Sequence, residues 1–382
     1  MRAALLMRPV GQPRYRRFLA AFLLSLCALL GATVGFNFIV DPLHYYRGLT
    51  AINPVFLSST LQRYLNVGLA RNFPYDTVVI GSSLTENFLA SHLDKSWGVR
   101  AINLSISGST SYEQQLVLRE ALRTGKVRDV IWAVDFGFYG GATRVRDDQA
   151  PFPYQMYRHP AVLNIEYPMS FATLRDSIKI LHGYGVGDLD TLYAWYPRFT
   201  FSRAAVLKAW GGDCSQFGQA YREDQPPAPT AFVIAMREAV RQNLAAVVED
   251  YPDVIFHVFF PPATTLYYVP AASGNLHNAL PLRRAVAEAV ADRPNVLLSD
   301  FQADPRLIDA LDHYMDMLHF DLWTTEYITD ALRLGRYRIH PADIAGNNAR
   351  LIRHVNEFTL CRDGELVGAP DRAASVNRSR SP

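Results

Sequence analysis

The chain has 382 residues, 49% of them hydrophobic, which is enough apolar material for one substantial core. Its formal charge is +2, but five arginines (Arg2, Arg8, Arg14, Arg16, Arg17) sit in residues 1–17 without an acid, and the remaining Lys and Arg fall short of the 36 Asp and Glu. The body of the chain is therefore slightly acidic, which excludes a basic nucleic-acid-binding surface as its organising feature.

The first predicted element is apolar. Phe18 to Val40, "FLAAFLLSLCALLGATVGFNFIV", carries no charge. As a helix it reaches roughly 34 Å, more than the ~30 Å hydrocarbon core of a bilayer. The alternative is a cleaved signal peptide, whose apolar region runs about 7–15 residues before a small-x-small site. This run is longer and ends in aromatic and β-branched residues. Cys27 is a poor lipoprotein site, because Leu26 stands where a small residue is needed. The arginines on one flank predict a cytoplasmic N-terminus (1–17), a membrane anchor (18–40) and a periplasmic or other extracytoplasmic body, as in a single-pass protein of the bacterial inner membrane.

Residues 41–75 read as an extended or partly helical connector. Beyond it, "YDTVVIGSS" is a buried strand meeting a tight turn, and "LTENFLASHL" reads as a helix start. "VRAINLSISGST" is a second strand, "SYEQQLVLREALRTG" a helix with a glycine stop, and "VRDVIWAVDFGFYGG" a third strand. Residues 140–230 break the rhythm with a segment rich in Tyr, Phe, Pro and Arg, read as an insertion over one end of the sheet. The helix "TAFVIAMREAVRQNLAAVVEDYP", the strand "DVIFHVFFPPATT", the helix "LPLRRAVAEAVADRP" and the strand "NVLLSDF" follow. The expectation is an α/β domain over 76–362 with a doubly wound parallel sheet, then a disordered tail at 363–382.

In such sheets ligands bind at the carboxyl ends of the strands. Gly81-Ser82-Ser83, Ser107-Gly108-Ser109, Asp135 with Gly137, and Pro261-Pro262 all fall there. A serine at a strand-to-helix turn has free amides beside it, but it needs a base to become a nucleophile. "LDHYMDMLHFD" supplies one: Asp316 stands three residues before His319, so on a helix the two share a face and the carboxylate orients the imidazole. His313 is the rival base. The same Gly-Ser-Ser also serves as a plain helix cap, and Asp316 with His319 as a cap and a surface histidine. A nucleotide loop is disfavoured, since neither Gly-x-Gly-x-x-Gly nor Gly-Lys-Ser/Thr occurs. His257, inside "VIFHVFF", reads as a core histidine. No cofactor or metal site is expected.

Of the three cysteines, Cys27 lies in the apolar run. In an oxidising compartment Cys214 and Cys361 pair as a disulfide or stay as two isolated buried thiols; the spacing leaves both open.

The order "GSS", then "NLSISGS", then "DMLHF" resembles the SGNH/GDSL hydrolase superfamily. "FNFIVDP", "VFFPPAT" and "HYMDMLHFD" resemble its membrane-anchored branch in envelope-polysaccharide gene clusters, which includes proteins of alginate acetylation and teichoic-acid D-alanylation. The likeness spans most of residues 37–335 outside the insertion, through short motifs. It implies Ser83 as nucleophile, His319 as base, Asp316 as its orienting acid, and the Ser83 and Gly108 amides as oxyanion donors. Ser82, Asp135 and Gly137 would lie along the substrate edge. The family's Gly-x-Asn-Asp, whose Asn donates to the oxyanion, is replaced by "VDFGFYG". The implied activity is acyl transfer or ester hydrolysis on a polysaccharide, beside a membrane-bound O-acyltransferase. The alternative is an inert scaffold or glycan-binding subunit.

Overall fold

The computed structural model describes residues 13–50, 52, 62–146, 152–157, 164–184, 187–222, 229–270 and 275–367. Most of the expected N-terminal arm, parts of the 140–230 segment and most of the expected tail lie outside them.

The helices in chain order are α1 (Pro13–Val40), α2 (Gln62–Asn72), α3 (Ala90–Trp97), α4 (Ser111–Leu122), α5 (Glu166–Met169), α6 (Phe171–Leu181) and α7 (Arg203–Trp210). Next come α8 (Thr230–Val240), a π-helical turn at Arg241–Ala245, α9 (Ala246–Asp250), α10 (Thr265–Tyr268), α11 (Leu276–Val290), α12 (Pro305–Ile308), α13 (Leu322–Arg333) and α14 (Ile344–Glu357). Five strands, β1 (Thr77–Ile80), β2 (Ala101–Asn103), β3 (Asp129–Ala133), β4 (Ile255–Phe260) and β5 (Val296–Asp300), form one parallel sheet in the order β2-β1-β3-β4-β5.

Side chains alternate across a strand, and a parallel sheet between helices must be apolar on both faces. Val78, Ile80, Val130, Trp132, Phe256 and Val258 point into one core, packed by α2, α4, α8, α9 and the C-terminal half of α11. Val79, Ile131, Ala133 and Phe259 point into the other, packed by α3, α7, α13 and α14. β1 connects to β2 on one side and lies beside β3 on the other. That reversal of winding is where such a sheet opens a crevice.

Among the described residues one helix is long and apolar enough to cross a membrane; the candidate span runs from Tyr15 to Val40. Its last turn enters the body. Buried Asn37 donates to the Pro168 carbonyl at 2.8 Å and accepts from Ser177 Oγ at 3.1 Å.

Two sequence expectations change. The 41–75 stretch is more than a connector: Leu65, Val67 and Leu69 of α2 are fully buried. Arg63 also forms a two-pronged pair with Glu113 of α4 at 2.8 and 3.2 Å. The domain also runs past residue 362. A hairpin of β6 (Cys361–Arg362) and β7 (Glu365–Leu366) occupies the start of the expected tail, and residues 368–382 lie outside the described part. Cys214 and Cys361 form a disulfide, which ties the hairpin to the 140–230 segment. Cys27 is a free, exposed thiol on α1.

Candidate active site

The chain leaves β1 through Gly81, where a Cβ would lie 2.6 Å from Thr85 Oγ1, so only glycine fits the turn. Ser83 then opens a 3₁₀ turn, Ser83–Thr85, instead of the longer helix expected from the sequence. Three residues carry little macrodipole, so the local amides matter here more than a helix end. Asn87, just past the turn, ties this stretch to two distant loops. Its side chain accepts from the backbone N–H groups of Trp195 and Tyr196 and donates to the Phe320 carbonyl.

Ser83 Oγ lies 2.8 Å from His319 Nε2, although 236 positions separate them in the chain. His319 Nδ1 lies 2.7 Å from Asp316 Oδ2. The other oxygen of Asp316 accepts from the backbone N–H of Leu318 and of His319, both at 2.8 Å. Asp316 and His319 do not share a helix face, as the spacing predicts. They close a tight loop before α13, with Met315 N–H donating to the His319 carbonyl at 3.0 Å. The carboxylate spends one oxygen on the loop and one on the ring, so the same group holds the loop and orients the imidazole. Burial raises its pKa, but these hydrogen bonds and the imidazole charge outweigh that and hold it below the ordinary carboxylate value.

The loop is anchored from outside as well. Thr264, past the end of β4, donates its N–H and its hydroxyl to the Met317 carbonyl at 2.9 and 3.1 Å. Ser83 is 9% exposed, and the side chains of His319 and Asp316 are 21% and 29% exposed, so the relay reaches solvent. His313, the rival base, pairs with Asp321 at 2.7 Å and stacks on Trp323, with no serine partner among the described contacts.

Gly108 follows β2 in a loop that meets Gly81: the Ile106 N–H donates to the Gly81 carbonyl at 3.0 Å, and Ser109 Oγ to the same oxygen at 3.3 Å. Its φ of +56° needs glycine, and a Cβ there would run into the Arg146 guanidinium.

Ser82, Asp135 and Gly137, expected along a substrate edge, are buried and bonded to one another beside Ser83, and Asp135 also lines a small cavity. Ser82 Oγ donates to Asp135, and Asp135 accepts from Gly137 N–H at 2.8 Å. This link crosses from β1 to β3 at the winding reversal. The Gly137 N–H is thereby occupied, and the Asp135 charge is turned onto Ser82. Burial pushes the Asp135 pKa up to about 6, partly offset by its hydrogen bonds and by His319.

Other residues of the site carried no motif. Trp195, inside "LYAWYPRF", donates its indole N–H to the Ser83 carbonyl at 3.1 Å and sets its ring edge-on to His319. Glu86 is buried and bonded to Gln62 Nε2, and Gln62 Oε1 accepts from Ser107 N–H at 2.8 Å, so this pair braces the Gly108 loop against the Ser83 turn. Burial pushes the Glu86 pKa up to about 7, with Gln62, His319 and Arg198 partly offsetting it. The only sequence signal for these residues was density of aromatics and the "TEN" after the serines.

A small cavity of about 30 Å³ opens beside the relay, with Leu84, Leu318, Pro261 and Tyr268 among its walls. Among the described residues no cluster of His, Cys, Asp and Glu is arranged to hold a metal ion. His257 bonds Asp129 at 2.9 Å. No protein-family model matches the chain, and no curated protein matches it.

Proposed function

We propose that the protein is a membrane-anchored, extracytoplasmic serine acyltransferase or esterase of the SGNH hydrolase type. Its substrates are short acyl groups, chiefly O-acetyl, on a cell-envelope or exported polysaccharide. The carrying observation is the continuous relay from Ser83 Oγ through His319 to Asp316. The sequence resemblance supplies the substrate class, the periplasmic side and a membrane-bound O-acyltransferase as the acyl donor.

In this reading His319 Nε2 takes the Ser83 proton as Oγ attacks the acyl carbonyl. Asp316 holds the proton on Nδ1 and stabilises the imidazolium. The Ser83 and Gly108 amides receive the oxyanion, without the asparagine of the family's Gly-x-Asn-Asp. The tetrahedral intermediate expels the donor's alcohol, which takes the proton from His319. A sugar hydroxyl or water then attacks the acyl-enzyme, gives its proton to His319 and restores Ser83. The exposed face of the 140–230 segment next to Trp195 shapes the acceptor side.

The test is turnover of an acetyl ester, together with the acyl content of the cell's polysaccharide, in full-length Ser83→Ala and His319→Ala variants. Each substitution should abolish turnover while the protein stays folded at its normal membrane level. Full activity in folded Ser83→Ala would remove the catalytic reading and leave an anchored scaffold.

A further inference from the structure

The helix α6 buries a mostly polar face and turns an apolar one outward. Thr173, Asp176, Ser177 and Ile180 are buried against the body and the end of α1. On the opposite side Phe171, Ile178 and Leu181 are 77%, 45% and 53% exposed, with half-buried Leu174 between them. Offsets of three, seven and ten residues from Phe171 put these four side chains in one stripe along the helix. A water-facing helix places polar residues there, and a contiguous apolar stripe of this kind marks a contact surface.

The level of the stripe relative to a bilayer follows from α1. About 20 helical residues cross a hydrocarbon core, at 1.5 Å each. Counted from Phe18, just after the last arginine of the flank, that length ends near Asn37. Asn37 is the residue that bonds Pro168 at the end of α5 and Ser177 in the middle of α6. The same hydrogen bonds that seat α1 therefore set α6 where the hydrocarbon gives way to headgroups. Phe38 and Ile39, 46% and 55% exposed, continue the apolar surface from α1. Charge agrees with this placement. Arg175 and Lys179 flank the stripe, both paired with the single carboxylate of Asp176 at 3.1 and 3.5 Å, and both keep about half of their side chain open. Within α6 alone that leaves one net positive charge at the height of anionic lipid phosphates, with Glu166 of α5 lining the same pocket as Arg175.

We propose that α6 is a second membrane contact, an interfacial helix whose Phe171–Leu174–Ile178–Leu181 face lies in the lipid surface beside α1. The proposal rests on α1 spanning the bilayer and is independent of the chemistry at Ser83. An apolar face held in the interface, with cations at its border, is the arrangement of a monotopic helix. The single anchor would let the domain swivel; a second contact fixes which way the body stands on the membrane.

The test uses the full chain with Cys27 replaced by serine, which leaves no free thiol beside the Cys214–Cys361 disulfide. Single cysteines at 171, 178, 39 and 334 carry a spin label, and the protein is reconstituted in vesicles of phosphatidylethanolamine and phosphatidylglycerol. All four positions are exposed, so the labels do not disturb packing. Labels at 171 and 178 should collide with oxygen as the label at 39 does, and should be shielded from a nickel chelate several-fold more than the label at 334. Nickel access at 171 and 178 equal to that at 334 would overturn the proposal. Shielding seen only in native membranes, and absent in pure lipid vesicles, would assign the face to a protein partner and overturn it equally.

Discussion

The indole N–H of Trp195 donates to the carbonyl oxygen of Ser83 at 3.1 Å, across 112 positions of sequence. The same ring stands edge-on to His319, 5.3 Å between centroids, so one side chain from the 140–230 segment touches both Ser83 and His319. Trp195→Phe keeps an aromatic edge there and removes only the donor. A hydrogen bond of this kind is worth about 1 kcal/mol of stability, so the melting temperature should fall by a few degrees, and a displaced Ser83 should lower kcat on an acetyl ester up to about tenfold. Trp195→Ala should cost more in both. Wild-type kcat in Trp195→Phe would show that the indole bond does not position the serine.

Asp316 has two jobs, and an amide can do only one of them. In Asp316→Asn the side-chain oxygen can still accept from Leu318 and His319 N–H, so the loop should hold. The NH₂ group then faces His319 Nδ1 and favours the wrong tautomer. Turnover should drop by about 10³–10⁴-fold, while the circular dichroism spectrum stays that of the parent. A loss no greater than that of Trp195→Phe would contradict the relay.

Glu86 makes stability depend on pH. Its folded pKa of about 7 lies above the ordinary 4.5, so the folded protein holds this proton over a range where the unfolded chain has released it. The sign follows: this group's penalty is absent below about pH 4.5, grows as pH rises, and is complete above about pH 7, where it reaches roughly 3 kcal/mol. Glu86→Gln keeps the acceptor for Gln62 and removes the charge. Its melting temperature should exceed the parent's at alkaline pH and converge with it in mild acid. Parallel curves across that range would rule the effect out.

The Cys214–Cys361 bond closes a loop of 147 positions. A loop of that length costs the unfolded chain several kcal/mol of conformational entropy when closed, with measured values for native bridges of about 2–5 kcal/mol. The double Cys214→Ser, Cys361→Ser variant, or the reduced parent, should melt several degrees lower. The 140–230 segment should become the first site of limited proteolysis. An unchanged melting curve after verified reduction would refute this.

The orientation of α1 is open to a direct check. The arginine flank predicts that a reporter fused after residue 41 is active only outside the cytoplasm. Activity of a cytoplasmic reporter at that position would reverse the topology and remove the envelope substrate from the proposal.

Much of this was written locally. The charge-free run, the strand periods in "TVVI" and "VIWA", and the helical spacing of "SYEQQLVLREAL" depend on neighbours in sequence, and each appears close to where pattern placed it. Ser83, Asp316 and His319 could be singled out because glycine turns and an acid three residues before a histidine are short signals. What sequence could not carry was any property set by distant chain. Spacing put Asp316 and His319 on a helix; anchoring by Thr264 and Asn87 makes them a loop instead. Strand ends put Asp135 at the substrate edge; the fold bonds it to Ser82 and leaves it in the wall of a small cavity. Trp195, Glu86 and Gln62 looked like ordinary residues of an irregular segment, a turn and a connector, and packing brought them to the surroundings of Ser83. Secondary structure follows from local backbone and side-chain preferences. The partner of a buried polar group is chosen only when the chain closes on itself, because the cost of leaving that group unpaired arises only once water is excluded.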